Sequence, residues 1–161
     1  MASRSKRKPE HYVNNKEFTA AVVEYAAQMK QAKAKNKEIP MIPEYIGDCF
    51  VRIAQGLSHK PNFYRYSWRE DMVMDGVENC VKAIHNYDVD KKTRSGKPNA
   101  FAYFTQIIWF AFLRRIAKEK KQQEIKDKIK SSASIEDFLE NDGDANGTAI
   151  IEKMRNRQDN F

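Results

Sequence analysis

The stretch Asn99–Gln123, NAFAYFTQIIWFAFLRRIAKEKKQQ, decides how this chain folds. Read at helical period, Phe104, Ile108, Ala111, Phe112 and Ile116 fall at i, i+4, i+7, i+8 and i+12, the spacing of a core-facing stripe. A second row, Tyr103, Gln106, Ile107, Phe110, Leu113 and Arg114, lies on another side and is mostly apolar or aromatic before it turns basic at Arg114. Water-facing helix surfaces do not have that composition. Either the helix is buried all round, or its second face meets a partner through aromatic and cationic groups.

Working outward, the 161 residues have room for one domain plus tails, and 41% apolar residues can build a modest core. Lys and Arg number 29 against 22 Asp and Glu, a net charge of +7. The excess is unevenly placed. From Ser131 to Phe161 there are seven acids and three bases, a charge of −4, which leaves +11 on residues 1–130. Such a balance points to a polyanion as partner and to an acidic tail with a separate task. Cys49 and Cys80 are far apart, with no CxxC and no clustered His11, His59 or His85, so neither a zinc site nor a disulfide framework is expected and a reducing cytosol fits. No apolar run is long enough to cross a membrane, and the basic N-terminus lacks the apolar segment of a signal peptide.

In chain order, residues 1–10 carry Arg4, Lys6, Arg7 and Lys8 and read as a flexible basic arm. Asn14 with Glu17 resembles a capping box, after which Phe18, Ala21, Val22, Tyr25, Met29 and Ala32 repeat at helical spacing until Pro40 and Pro43 stop the helix. Pro43 suits the start of a second helix striped by Ile46, Cys49, Phe50, Ile53 and Leu57. Ser67 with Glu70 reads as an S-x-x-E box opening a third helix to about Asn86, with Met72, Val73, Val77, Cys80, Val81 and Ile84 inward or at a contact. A basic turn, KKTRSGKP, follows, and Asn99 caps the fourth helix. From Ser131 the chain is polar, acidic and turn-rich, with one apolar island at Ile135, Phe138 and Leu139 and a short helical pattern at Ile150, Ile151 and Met154. The expectation is an all-α fold: a four-helix domain over residues 11–128, with the helices packed to about residue 125, and a flexible acidic tail over residues 129–161.

Enzymatic signatures are missing: there is no GxxxxGK[ST], GxGxxG, GxSxG or HExxH. A non-enzymatic protein without metal or cofactor is expected, and the informative features are surfaces. The third helix has acids at Asp71, Asp75 and Glu78, which is odd in a domain carrying +11. Acids there repel DNA, so that face is either simply solvated or meets a basic protein surface.

The third and fourth helices together resemble region 2 of bacterial sigma factors. Asp71, Val73, Asp75, Gly76, Lys82, Ala83, Ile84, Tyr87 and Asp88 match one motif of that family by identity or close substitution, Tyr103, Thr105, Ile108, Ala111 and Arg114 stand in register with the next, and IGDCFVRIAQGL is similar to the segment before them. YVNNKE, GLSHKPNF, SWREDMVMDGVE, AIHNYD and NAFAYFTQ, followed by FAF and RRI, resemble the late-transcription sigma factors of T-even-type bacteriophages over roughly residues 12–125. SIEDFLEND in the tail is similar to their sliding-clamp-binding peptide, although about twenty residues follow it here.

That resemblance implies a factor that binds core RNA polymerase in the cytoplasm of an infected bacterial host and directs recognition and melting of A/T-rich minus-ten-type late promoters. It implies that Asp71, Met74, Asp75, Val77, Glu78 and Val81 dock on the clamp helices of the polymerase's largest subunit. It implies that Tyr87, Tyr103, Gln106, Ile107, Trp109, Phe110, Leu113, Arg114, Arg115 and Lys118 contact promoter DNA, duplex and melted, with Lys120 and Lys121 adding charge. Ile135, Phe138 and Leu139 are implied to bind a sliding clamp, and a co-activator is a further implied partner. The family's tandem Trp falls on Gln106 and Ile107, with Trp109 displaced by two places. The contrasting expectation is a small helical DNA-binding repressor or nucleoid-type protein that acts without polymerase; a pure protein-interaction adaptor is a third.

Overall fold

The computed structural model describes residues 12–90 and 96–141, with side chains as far as residue 133. The basic arm, five residues of the turn before Gly96, and residues 142–161 lie outside the described residues. Four α-helices follow in order: α1 Asn15–Ala34, α2 Glu44–Ser58, α3 Arg69–Ala83 and α4 Ala100–Asn141, with a 3₁₀ turn at Ile84–Asn86 closing α3. The described residues contain no strand, as the sequence pattern anticipates.

Local chemistry accounts for most of the boundaries. Asn14 caps α1, its side-chain oxygen accepting from the Lys16 amide at 3.1 Å. Asn99 does the same for α4, accepting from the Ala102 amide at 3.0 Å. Pro43 is the N-cap of α2. The S-x-x-E box expected at Ser67 does not form. Helix α3 starts at Arg69 behind Trp68, with no side-chain cap, and the Trp68 carbonyl accepts from the Met72 amide at 3.1 Å. A ring stack between Tyr66 and Trp68, centroids 4.3 Å apart, brackets Ser67, which remains exposed.

Helix α4 departs most from the expectation. It passes Gln123 and runs to Asn141, so residues 129–141 are helical where a flexible tail was expected. The physical reason is composition: neither Gly nor Pro interrupts residues 99–142, and Ala, Lys, Glu, Gln and Ile dominate. A Gln123–Asp127 bond of 2.9 Å across one turn adds to this. The chain divides into two units, residues 1–115 and 116–161. In the second unit nearly every described side chain beyond Ile116 is exposed, including Ile125 and Ile129.

The core of the first unit is aromatic. Phe18 of α1, Phe50 of α2 and Phe104 of α4 are fully buried, with centroid separations of 6.1, 5.9 and 4.7 Å. Burying a side chain of that size contributes about 1.5–3 kcal/mol, before edge-to-face contacts add roughly 0.5–1.5 kcal/mol per pair. Phe104, Ile108, Ala111, Phe112 and Ile116 are all buried, so the anticipated stripe is the core face of α4. Helix α1 is tied in by Tyr25, which donates to the Pro40 carbonyl at 2.9 Å, and by Thr19, whose hydroxyl accepts from the Ala100 amide at 3.2 Å.

Helices α3 and α4 meet at Gly76. A Cβ there would lie 3.0 Å from Ile108 Cγ2 and 3.2 Å from Phe112 Cε1, tighter than most Cβ contacts in proteins. Gly76→Leu is therefore expected to lower stability by about 1–3 kcal/mol through overpacking, despite leucine's better helix propensity. Urea unfolding followed by circular dichroism measures this; unchanged or increased stability would contradict such a tight contact.

Candidate nucleic-acid and protein interfaces

Two surfaces emerge from the way α3 and α4 pack. On α3, Asp71, Met74, Glu78 and Val81 are all exposed, Met74 by 65%. Their 3-4-3 spacing is that of a helix seam. Two aliphatic groups alternate with two carboxylates along it, a pattern suited to a partner helix with apolar anchors and basic flanks. Glu78 already pairs with Lys82 at 2.6 Å, but both side chains are well solvated and the pair costs little to exchange.

Asp75 and Val77 are not on this seam. Val77 is half-buried. Asp75 turns toward α4, where its carboxylate accepts from Arg115 Nε at 2.6 Å and Nη2 at 3.0 Å. One turn on, the Asn79 side-chain amide donates to the Asp75 carbonyl at 2.7 Å and accepts from Arg114 Nη2 at 3.1 Å. Two consecutive arginines of α4 are thus held by α3, Arg115 in a two-pronged geometry with most of its side chain covered. The family resemblance implies separate partners for Asp75 and Arg115. Only the fold places them together, and Asn79 had no assignment because an amide in mid-helix carries no signal of what it faces.

The second surface lies along the seam between α3, the 3₁₀ turn and α4. Gln106, Phe110, Leu113 and Arg114 are exposed, Phe110 by 49%, while Tyr103 and Ile107 are half-buried. The helix is therefore not buried all round. Two clefts follow this row and share Asn86. One, of about 240 Å³, is lined by Asn86, Tyr87, Asp88, Asn99, Ala102, Tyr103 and Gln106. The other, of about 320 Å³, is lined by Asn79, Lys82, Ala83, Asn86, Ile107, Phe110 and Arg114.

Aromatic packing gives the first cleft a rigid wall. Tyr87 and Tyr103 meet edge-to-face at 5.2 Å, and Tyr87 lies nearly parallel to Phe104 at 5.8 Å, so the buried Phe104 positions both tyrosines. Burial, and next the neighbouring Tyr103, raise the Tyr87 pKa and keep its hydroxyl protonated as a potential donor. Ring faces with amide and hydroxyl groups at their edges suit a planar heterocycle: the rings stack and the amides read its polar edge. Asn86, and Asn99 beyond its capping role, supply those amides.

The remaining anticipated residues fall elsewhere. Trp109 leaves the exposed row and packs edge-to-face on Phe63 at 4.9 Å, on the flank of α4 that also holds Phe112. Lys118, Lys120 and Lys121 are exposed in the second unit. Ile135, Phe138 and Leu139 are in the helical part of α4, and their side chains lie outside the described residues. Among the described residues there is no group of three or more His, Cys, Asp or Glu placed to hold a metal ion, and no helix long and apolar enough to cross a membrane. No protein-family model matches the chain, and no curated protein matches it either.

The ion pair can be weighed directly. In a double-mutant cycle of Asp75→Asn and Arg115→Gln, the coupling is expected to be about 1 kcal/mol, above that of a fully exposed pair and below that of a dry one. It should shrink when salt is raised from about 0.05 to 1 M, because the pair is partly solvated. Coupling indistinguishable from zero at low salt would mean that α3 and α4 are held by packing alone.

Proposed function

We propose that this chain is a non-enzymatic promoter-specificity subunit of the phage late sigma type, which joins a bacterial core RNA polymerase and opens A/T-rich minus-ten-type promoters. One observation carries the reading. A single helical unit with an excess of basic residues exposes an acidic, apolar seam on α3 and an aromatic, cationic row on α4. A protein that binds duplex DNA alone needs neither feature.

In this reading, Asp71, Met74, Glu78 and Val81 receive a basic helix of the polymerase, the clamp helices of its largest subunit. Asp75 takes a different part, holding Arg115. The α4 row then lies against separating promoter strands. Tyr87, Tyr103 and Phe110 offer faces to unpaired bases, and each such stack contributes about 1–3 kcal/mol, comparable to the few kcal/mol needed to extrude a base from the duplex. Arg114 and Lys82 neutralise phosphates at the rim of the second cleft. Trp109, seated on Phe63, supports α4 from behind and is not the side chain that wedges the strands. The family's tandem Trp is replaced here by Gln106 and Ile107, so strand separation relies on tyrosine and phenylalanine faces. A sliding clamp engaging Ile135, Phe138 and Leu139, a co-activator, and action in the cytoplasm of an infected host complete the proposal.

Asp71→Lys with Glu78→Lys leaves the Asp75–Arg115 pair intact, so the helical circular dichroism should be unchanged while affinity for core polymerase falls at least tenfold. Wild type should gel-shift promoter DNA only when core polymerase is added. Unaltered core affinity in the charge-reversed variant, or tight duplex binding without polymerase, would overturn the reading; the second result favours a repressor-type protein.

A further inference from the structure

The connection between α2 and α3 together with the first residue of α3, HKPNFYRYSWR over residues 59–69, contains the rings of Phe63, Tyr64, Tyr66 and Trp68 and the fixed cations Lys60, Arg65 and Arg69 without one acid. It is folded tightly. The Leu57 carbonyl accepts from the Lys60 amide, Lys60 from the Phe63 and Tyr64 amides, and Phe63 from the Tyr66 amide, at 2.9–3.3 Å. Phe63 anchors the segment to the core: it is 1% exposed and meets Trp109 and Phe112 edge-to-face. Core packing does not need the other three rings in the same way. Tyr64 is 45% exposed, and Tyr66 and Trp68 are half-buried and stacked on each other at 4.3 Å with an interplanar angle of 23°. Arg65 is exposed, donates to the Tyr64 hydroxyl at 2.9 Å and sits 5.4 Å from that ring's centre.

We propose that this connection is a second binding surface for single-stranded nucleic acid, apart from the cleft row on α3 and α4. Unpaired bases extend the Tyr66–Trp68 stack and cover Tyr64, while Lys60 and Arg65 meet the intervening phosphates. Several features favour nucleic acid over a protein partner. A protein-docking patch gains from aliphatic groups and mixed charge, whereas here planar rings alternate with cations of one sign. That combination, a stacking platform within a positive strip, is the general solution for sequence-tolerant single-strand binding. A duplex keeps its bases stacked internally and offers the rings nothing to cover. The inference does not depend on polymerase being the partner of α3.

The chain has two tryptophans, Trp68 and Trp109, which makes the test spectroscopic. At low salt, a twelve-nucleotide oligothymidylate is titrated into the full chain, with a twelve-nucleotide RNA and a twelve-base-pair duplex in parallel. The expected result is saturable quenching of tryptophan fluorescence by the single strands and little by the duplex. The quench should disappear in Trp68→Phe, and affinity measured by anisotropy should fall roughly tenfold in Arg65→Ala with Trp68→Ala. Tyr103→Ala with Phe110→Ala, which removes stacking groups of the α4 row, should leave the Trp68 quench in place, so this surface and the function proposed above fail separately. Quenching by DNA but not RNA, or the reverse, assigns the strand type. No quench by either single strand, equal quench by duplex, or a quench that survives Trp68→Phe would overturn the proposal.

Discussion

The close approach of α3 to α4 at Gly76 is the constraint on which the rest of the first unit depends. Without a Cβ there, Ile108 and Phe112 come within about one atom's reach of the α3 backbone. The two helices then lie near enough for Asp75 to grip Arg115 and for Asn79 to hold Arg114. What is left outward is determined by elimination. On α3 the residues turned away from α4 are Asp71, Met74, Glu78 and Val81; on α4 they are Gln106, Phe110 and Leu113, with Tyr103 and Ile107 at the edge of the seam. A bulkier residue at 76 would move both outward faces at once.

Energetically the aromatic core decides the fold and the polar clip decides its register. Three phenylalanines with centroids 4.7–6.1 Å apart, seconded by Phe63 on Phe112, contribute several kcal/mol that no surface ion pair approaches. Those contacts are tolerant of small sliding motions. A two-pronged arginine–carboxylate pair is not, because both nitrogens must meet both oxygens. The clip therefore contributes little to stability and much to placement: it fixes where α4 presents Arg114 and Phe110 relative to the α3 seam. That placement links packing to the function proposed, because a factor that binds protein with one helix and bases with the next needs the two in constant relation.

Most of the architecture was legible in the sequence for plain physical reasons. Periodic burial on α1, α2 and α4 is a strong signal, and every member of the stripe Phe104, Ile108, Ala111, Phe112 and Ile116 is inside. Asn14 and Asn99 cap as their chemistry requires. Ser67 does not, because the neighbouring rings of Tyr66 and Trp68 stack across it, a side-chain preference that a capping pattern does not register. The length of α4 was underestimated since a charged, glycine-free run reads equally as tail or as helix when no core face marks it. On the surface, the aromatic row was visible as an excess of apolar groups, but the partners of Asp75 and Arg115 were not, being forty residues apart. The seat of Trp109 was hidden for a related reason: its neighbour Phe63 belongs to a connection with no periodicity to place it.

In the function proposed, α3 and α4 divide the work, one face for protein and one for bases. Permanganate footprinting of unpaired thymines on a supercoiled late-type promoter, with core polymerase and either the wild-type chain or Tyr103→Ala with Phe110→Ala, tests that division most directly. Reactive thymines are expected around the minus-ten region with wild type, and with the double variant an intact polymerase complex whose thymines stay protected. Equal reactivity in both, or loss of the polymerase complex itself, would contradict it.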